Sequence, residues 1–113
     1  KNRLISVLEG LKEGGQRIAA YGAPAKGNTL LNYSRIGVRI LDYALDELPS
    51  KQGLYTPGMH IPVVGRDYAQ SHPPDYYLLL AWNYKEAILA KEKNFRKRGG
   101  HFLVPIGDDI QIL

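Results

Sequence analysis

Short apolar runs alternating with amphipathic stretches, a glycine turn closing the first such run, and a length of 113 residues predict a single α/β domain with a mostly parallel sheet. That length supports one buried core and is too short for two ordinary domains. Hydrophobic residues at 44% and charged residues at 23% fit a folded globular chain and exclude disordered and fibrous classes. There is no cysteine, so disulfides, thiol nucleophiles and thiolate metal sites drop out. The longest apolar run, Leu78-Leu79-Leu80-Ala81-Trp82, falls far below the roughly 18 residues that cross a bilayer. With no signal-peptide pattern at the start, no membrane partner and a cytoplasmic location are expected. The chain opens on Lys1-Asn2-Arg3 without a methionine, which reads as a piece of a longer protein.

The elements follow in order. Leu4, Ile5, Leu8 and Leu11 recur at helical spacing and predict a helix over Asn2–Glu13, stopped by Gly14-Gly15. Residues 17–21 form a short run without helical period, a buried strand. Pro24 suits a first helical turn, so residues 25–34 read as a helix ended by Gly37, and residues 40–45 as a second strand ending at Asp46. Strand, helix, strand in this span is a βαβ unit with parallel strands. Residues 47–72 are rich in Pro, Gly and polar groups and read as a long irregular connection with one brief strand at 60–64. Residues 76–82 form the most hydrophobic strand, and a helix opens at Asn83 or Tyr84 and runs to Gly99-Gly100. Residues 101–105 form a further strand, with an edge strand at 110–113. Helices on both faces of such a sheet give a three-layer αβα, Rossmann-like domain, whose ligands bind beyond the carboxyl ends of the strands.

The chemistry concentrates in Tyr21-Gly22-Ala23-Pro24-Ala25-Lys26-Gly27-Asn28-Thr29. A strand turning through Gly22 into a helix leaves backbone N–H groups unpaired, beside Lys26, Asn28 and Thr29, which suits an anion and above all a phosphate. The P-loop pattern GxxxxGK[ST] fails because Asn28 stands in place of its lysine. The dinucleotide pattern GxGxxG fails because Pro24 replaces its second glycine. A plainer reading is that a βα turn needs its glycine for geometry alone. Asp46 lies about two dozen residues past Gly22, the spacing of a ribose-binding carboxylate, and is also a good loop starter. His60 has no neighbour at metal-ligand spacing, and Asn83 serves a helix N-cap as well as a ligand. The net charge of +4 suits a phosphate-bearing ligand. Lys91, Lys93, Arg96, Lys97 and Arg98 read as a solvated helix end whose cations complement the dipole, so no nucleic-acid partner is expected. No nucleophile elbow and no acid–base carboxylate pair is present, so no catalytic residue and no metal ligand is assigned.

Residues 20–32, Ala20-Tyr21-Gly22-Ala23-Pro24-Ala25-Lys26-Gly27-Asn28-Thr29-Leu30-Leu31-Asn32, are followed by Lys51-Gln52-Gly53 and Thr56-Pro57-Gly58-Met59-His60-Ile61-Pro62-Val63. Asp75-Tyr76, Ala81-Trp82-Asn83 and Gly99-Gly100-His101-Phe102 come next. In that order the blocks resemble the C-terminal domain of the sugar C-methyltransferase family. The resemblance covers nearly the whole chain. It implies a parent enzyme with an N-terminal zinc-binding segment, a central S-adenosylmethionine (SAM) domain, and this domain helping to hold a nucleotide-linked keto-deoxysugar. Methyl transfer would then occur at the central domain, leaving this one inactive alone and without a cofactor of its own. The implied partners are a nucleotide-diphosphate sugar and the SAM-binding domain of the same parent chain. Matching positions carry substrate-binding expectations for Tyr21, Gly22, Lys26, Asn28, Thr29, Lys51, His60, Trp82 and Asn83, with Lys26 and the first-turn amides on the diphosphate. The rival expectation is a structural domain whose middle loop docks a partner domain without binding ligand.

Overall fold

Four consecutive buried residues make β1 (Ile18–Tyr21) the centre of the sheet, because only a strand covered on both faces tolerates an unbroken apolar run. A computed structural model describes residues 2–22, 35–56, 58–80, 82–106 and 109–113. Around β1 stand α1 (Asn2–Glu13), β2 (Leu41–Leu45), β3 (Val63–Val64), α2 (Arg66–Ser71) and β4 (Tyr76–Leu79). A 3-10 turn (Trp82–Tyr84), α3 (Lys85–Lys91), α4 (Lys93–Lys97), β5 (His101–Ile106) and β6 (Asp109–Ile112) complete the described elements. The strands form one sheet in the order β3-β2-β1-β4-β5-β6. All neighbours run parallel except β5 and β6, so the expected mostly parallel α/β sheet is present.

Alternate strand residues feed two separate cores. Ile18 and Ala20 of β1, Leu78 of β4 and Leu103 of β5 pack with Leu4 and Leu8 of α1. Ala19, Tyr21, Tyr77, Leu79, Phe102 and Val104 pack with Ala69 of α2 and Phe95 of α4. Leu8 is fully buried, and burial of such a side chain contributes about 2 kcal/mol. The glycine stop after α1 behaves as expected. Gly15 takes φ +86°, and Gln16 N–H donates to the Leu11 carbonyl at 3.0 Å, closing the helix end.

Four expectations need correction. The connection 47–62 is not irregular throughout. Residues 53–56 run antiparallel to 61–63 outside β3, through Val63 N–H to Leu54 O (2.9 Å), Gly53 N–H to Val63 O (3.0 Å) and a Tyr55–Pro62 bridge. The strand expected at 60–64 shrinks to Val63–Val64, because His60 sits at φ +56° in the turn of that hairpin. Arg66–Ser71 is helical, although only Ala69 of its six residues is buried and its periodicity is too short to register. The single helix expected after Asn83 divides into the 3-10 turn, α3 and α4, with a break at Glu92, where φ and ψ are −98° and 30°. The helix expected over 25–34 lies outside the described residues. Among those described, no helix is long and apolar enough to cross a membrane.

Candidate functional site

The strand order reverses at β1. Connections through β2 and β3 progress to one side, and the return through α2 reaches β4 on the other side of β1. A crevice at the carboxyl ends of β1 and β4 is the expected consequence of such a reversal. Register puts Tyr21 level with Leu45 on one side and Leu79 on the other. Gly22 then leaves β1 at φ +87°, a left-handed conformation that glycine adopts without steric penalty, while its N–H donates to Leu45 O at 2.6 Å. Asp46 N–H donates to Val64 O at 3.0 Å and Leu80 N–H to Tyr21 O at 3.3 Å, so Gly22, Asp46 and Leu80 share one rim.

Of the site residues expected from sequence, Tyr21 and Gly22 lie at this rim, and the turn that holds Trp82 and Asn83 begins two residues after Leu80. Asn83 is exposed within the 3-10 turn and does not cap α3, whose preceding residue is Tyr84. The Trp82 side chain lies outside what is described, as do Lys26, Asn28 and Thr29. Lys51 joins the rim through Asp46: its Nζ lies 3.4 Å from Asp46 Oδ2, while Asp46 Oδ1 accepts the Leu48 N–H at 3.0 Å. Asp46 therefore serves its loop directly. His60 stands apart. Its neighbour Met59 packs against Gly37 before the amino end of β2, while His60 N–H donates to Thr56 O at 3.1 Å and its ring is exposed. The arrangement does not bring it to the Gly22 rim.

One cluster escaped the sequence reading altogether. The Tyr21 hydroxyl donates to Glu92 Oε2 at 2.5 Å, and Arg66 Nη2 donates to the same oxygen at 2.5 Å. Arg66 Nε reaches Glu47 Oε2 at 3.0 Å, and Lys91 Nζ also donates to Glu47. Glu92 is a buried carboxylate, 7% exposed, and tolerates burial because it accepts from both a hydroxyl and a guanidinium. Burial first, then the bond to Glu92, pushes the Tyr21 phenol well above its ordinary value, so it remains a protonated donor. The hydrogen bonds from Arg66 and Lys91 hold the Glu47 carboxyl down at about 2. A cleft of about 210 Å³ lies against the cluster, walled by Arg66, Gln70, Lys91 and Arg98 over Tyr77 and Phe95. Nothing local in the sequence marks Glu92, which sits in a lysine-rich run that reads as solvated; its partners lie 71 and 26 positions away.

The family model of the C-methyltransferase C-terminal domain matches residues 1–107. The chain belongs to this family. Similarity to a curated protein agrees: C-methyltransferase NovU of Streptomyces niveus is 43% identical over 104 residues, 92% of this chain. Those residues are 25% of NovU, so this member of the C-methyltransferase C-terminal domain family spans about a quarter of that relative's length. The family expected from the ordered sequence blocks is therefore the family found.

Proposed function

We propose that this domain binds the nucleotide-linked deoxysugar substrate of a SAM-dependent C-methyltransferase, cradling the diphosphate at the Gly22 turn. The observation that carries the reading is the position of Gly22: left-handed, at the carboxyl end of the central strand, where the strand order reverses. Lys26, Asn28 and Thr29 follow it in sequence and supply charge and donors of the kind a diphosphate takes. The order 3-2-1-4-5-6 is that of doubly wound dinucleotide-binding sheets and supports a Rossmann-like, three-layer reading. Methyl transfer belongs in this proposal to a SAM-binding domain of a longer, cytoplasmic chain. The zinc of such an enzyme is assigned in this proposal to another segment too, because this chain has no cysteine to supply thiolate ligands.

A scaffold role, with the turn serving geometry alone, is favoured by one observation: the Tyr21 hydroxyl and the Asp46 carboxylate are both engaged inside the fold. Titration with a nucleoside-diphosphate sugar, followed by amide shifts, separates the readings. The Gly22, Lys26 and Asn28 amides should move, and Lys26→Glu should abolish the movement without unfolding the domain. Unmoved amides at millimolar ligand would overturn substrate binding and leave the scaffold.

A further inference from the structure

The cluster around Glu92 gathers residues that follow three neighbouring strands. Tyr21 ends β1, Glu47 lies just beyond the end of β2, and Arg66 lies just beyond the end of β3. Glu92 itself comes from the break between α3 and α4 on the Tyr21 side of the sheet. All three strand ends belong to the rim where Gly22 leaves β1, and the cluster ties them together by bonds of 2.5 to 3.0 Å. Tyr21 is held by more than its hydroxyl. Its ring stands edge-on to Tyr77 at 5.2 Å and to Phe102 at 5.6 Å. The residue that follows, Gly22, has no side chain to hold it. Its direction is inherited from Tyr21 on one side and from its 2.6 Å bond to Leu45 on the other.

Resting on the diphosphate reading above, we infer that Glu92 is a positioning residue for the Gly22 turn. It fixes the Tyr21 hydroxyl and Arg66 together and so sets the direction in which the chain leaves β1 at Gly22, without touching ligand. This assigns Tyr21 a supporting role behind the site in place of direct substrate contact. A buried carboxylate is poorly suited to stability alone, since desolvation offsets much of what its pairing contributes, whereas it fixes geometry well. A strand exit fixed before the ligand arrives lowers the ordering cost of binding it.

The test is titration of the chain with inorganic pyrophosphate and with uridine diphosphate, read at the Gly22 amide, for Glu92→Gln and Tyr21→Phe. Glu92→Gln should shift the free Gly22 resonance and weaken binding about tenfold. Tyr21→Phe, which removes one hydroxyl and leaves the Glu92–Arg66 pair, should weaken it several-fold, and it keeps the test open should Glu92→Gln fail to fold. The double variant should bind within twofold of Glu92→Gln alone, because both changes break one chain of bonds. Thr56→Val, which lowers stability through the lost bond from Ile61 N–H, should leave affinity unchanged. Loss of melting temperature with unchanged affinity in the Glu92 and Tyr21 variants would overturn the inference alone. No Gly22 movement in the parent chain would overturn the diphosphate reading and this inference together.

Discussion

Gly22 carries more of the site than any other single described residue, and its requirement for glycine is steric. At φ +87° a Cβ meets its own backbone, so Gly22→Ala should cost about 1–2 kcal/mol, measured as a lowered midpoint in denaturant. This residue was legible in the sequence, because a glycine between a buried apolar run and a helical pattern marks the place where a strand must turn. Asp46 was half legible: two roles fitted its place, and the hydrogen bond it accepts from Leu48 N–H, with its ion pair to Lys51, is what a loop starter makes. Glu92 was illegible. Local pattern reports burial only through periodicity, and a carboxylate between two lysines is read as solvent-facing when its buried partners lie far away in the chain. His60 was misplaced by the same limitation. Its motif places it in sequence, whereas a left-handed turn carries it away from the rim.

Elements with strong periodicity or continuous burial emerged where expected, as α1, β1 and β5 do. Those specified by tertiary contact did not. The hairpin spanning 53–63 is defined by backbone pairing across its turn and by a buried polar side chain: Thr56, 3% exposed, whose Oγ1 accepts the Ile61 N–H at 3.0 Å. Thr56→Val preserves shape and removes that acceptor, leaving a buried donor unmet. It should cost about 1–3 kcal/mol by denaturant unfolding, with raised hydrogen exchange confined to residues 54–63. The break between α3 and α4 has a comparable origin. No glycine or proline marks it, and a continuous helix there satisfies every local preference. What the break provides is the Glu92 carboxylate facing Tyr21 and Arg66, a gain invisible from the segment itself.

At the scale of the molecule, stability should fall at both ends of the pH range, from different groups. Glu47 drops from 4.5 to about 2 on folding, through its bonds to Arg66 and Lys91. A depressed carboxyl stabilises the fold above its unfolded value and loses that contribution as pH falls, so the acid decline should span about 4.5 down to about 2. Glu47→Gln should flatten it. Tyr21, Tyr43 and Tyr77 are all raised above 10.0, chiefly by burial. A raised phenol stabilises fully below its unfolded value and less as pH climbs, so melting temperature should drop above about pH 10. Tyrosinate absorbance should appear in two stages, with these three ionising together only as the fold is lost. The parallel direction of β1 and β2 was legible in the sequence, since parallel strands follow from short runs separated by a long connection. The reversal at β1 depends on which neighbour β4 chooses, and that is settled by packing.

The salt bridge between Arg3 and Asp109, 2.8 Å long, joins the first helix to the last strand. Its consequence concerns attachment. Asp109 pairs with Ile106 at the carboxyl end of β5, whereas Leu113 exchanges hydrogen bonds with Phe102 near the amino end of the same strand. A covalent neighbour fused ahead of α1 would therefore begin on the side of the sheet where the strands end, the side of Gly22, and one fused after Leu113 would begin on the opposite side.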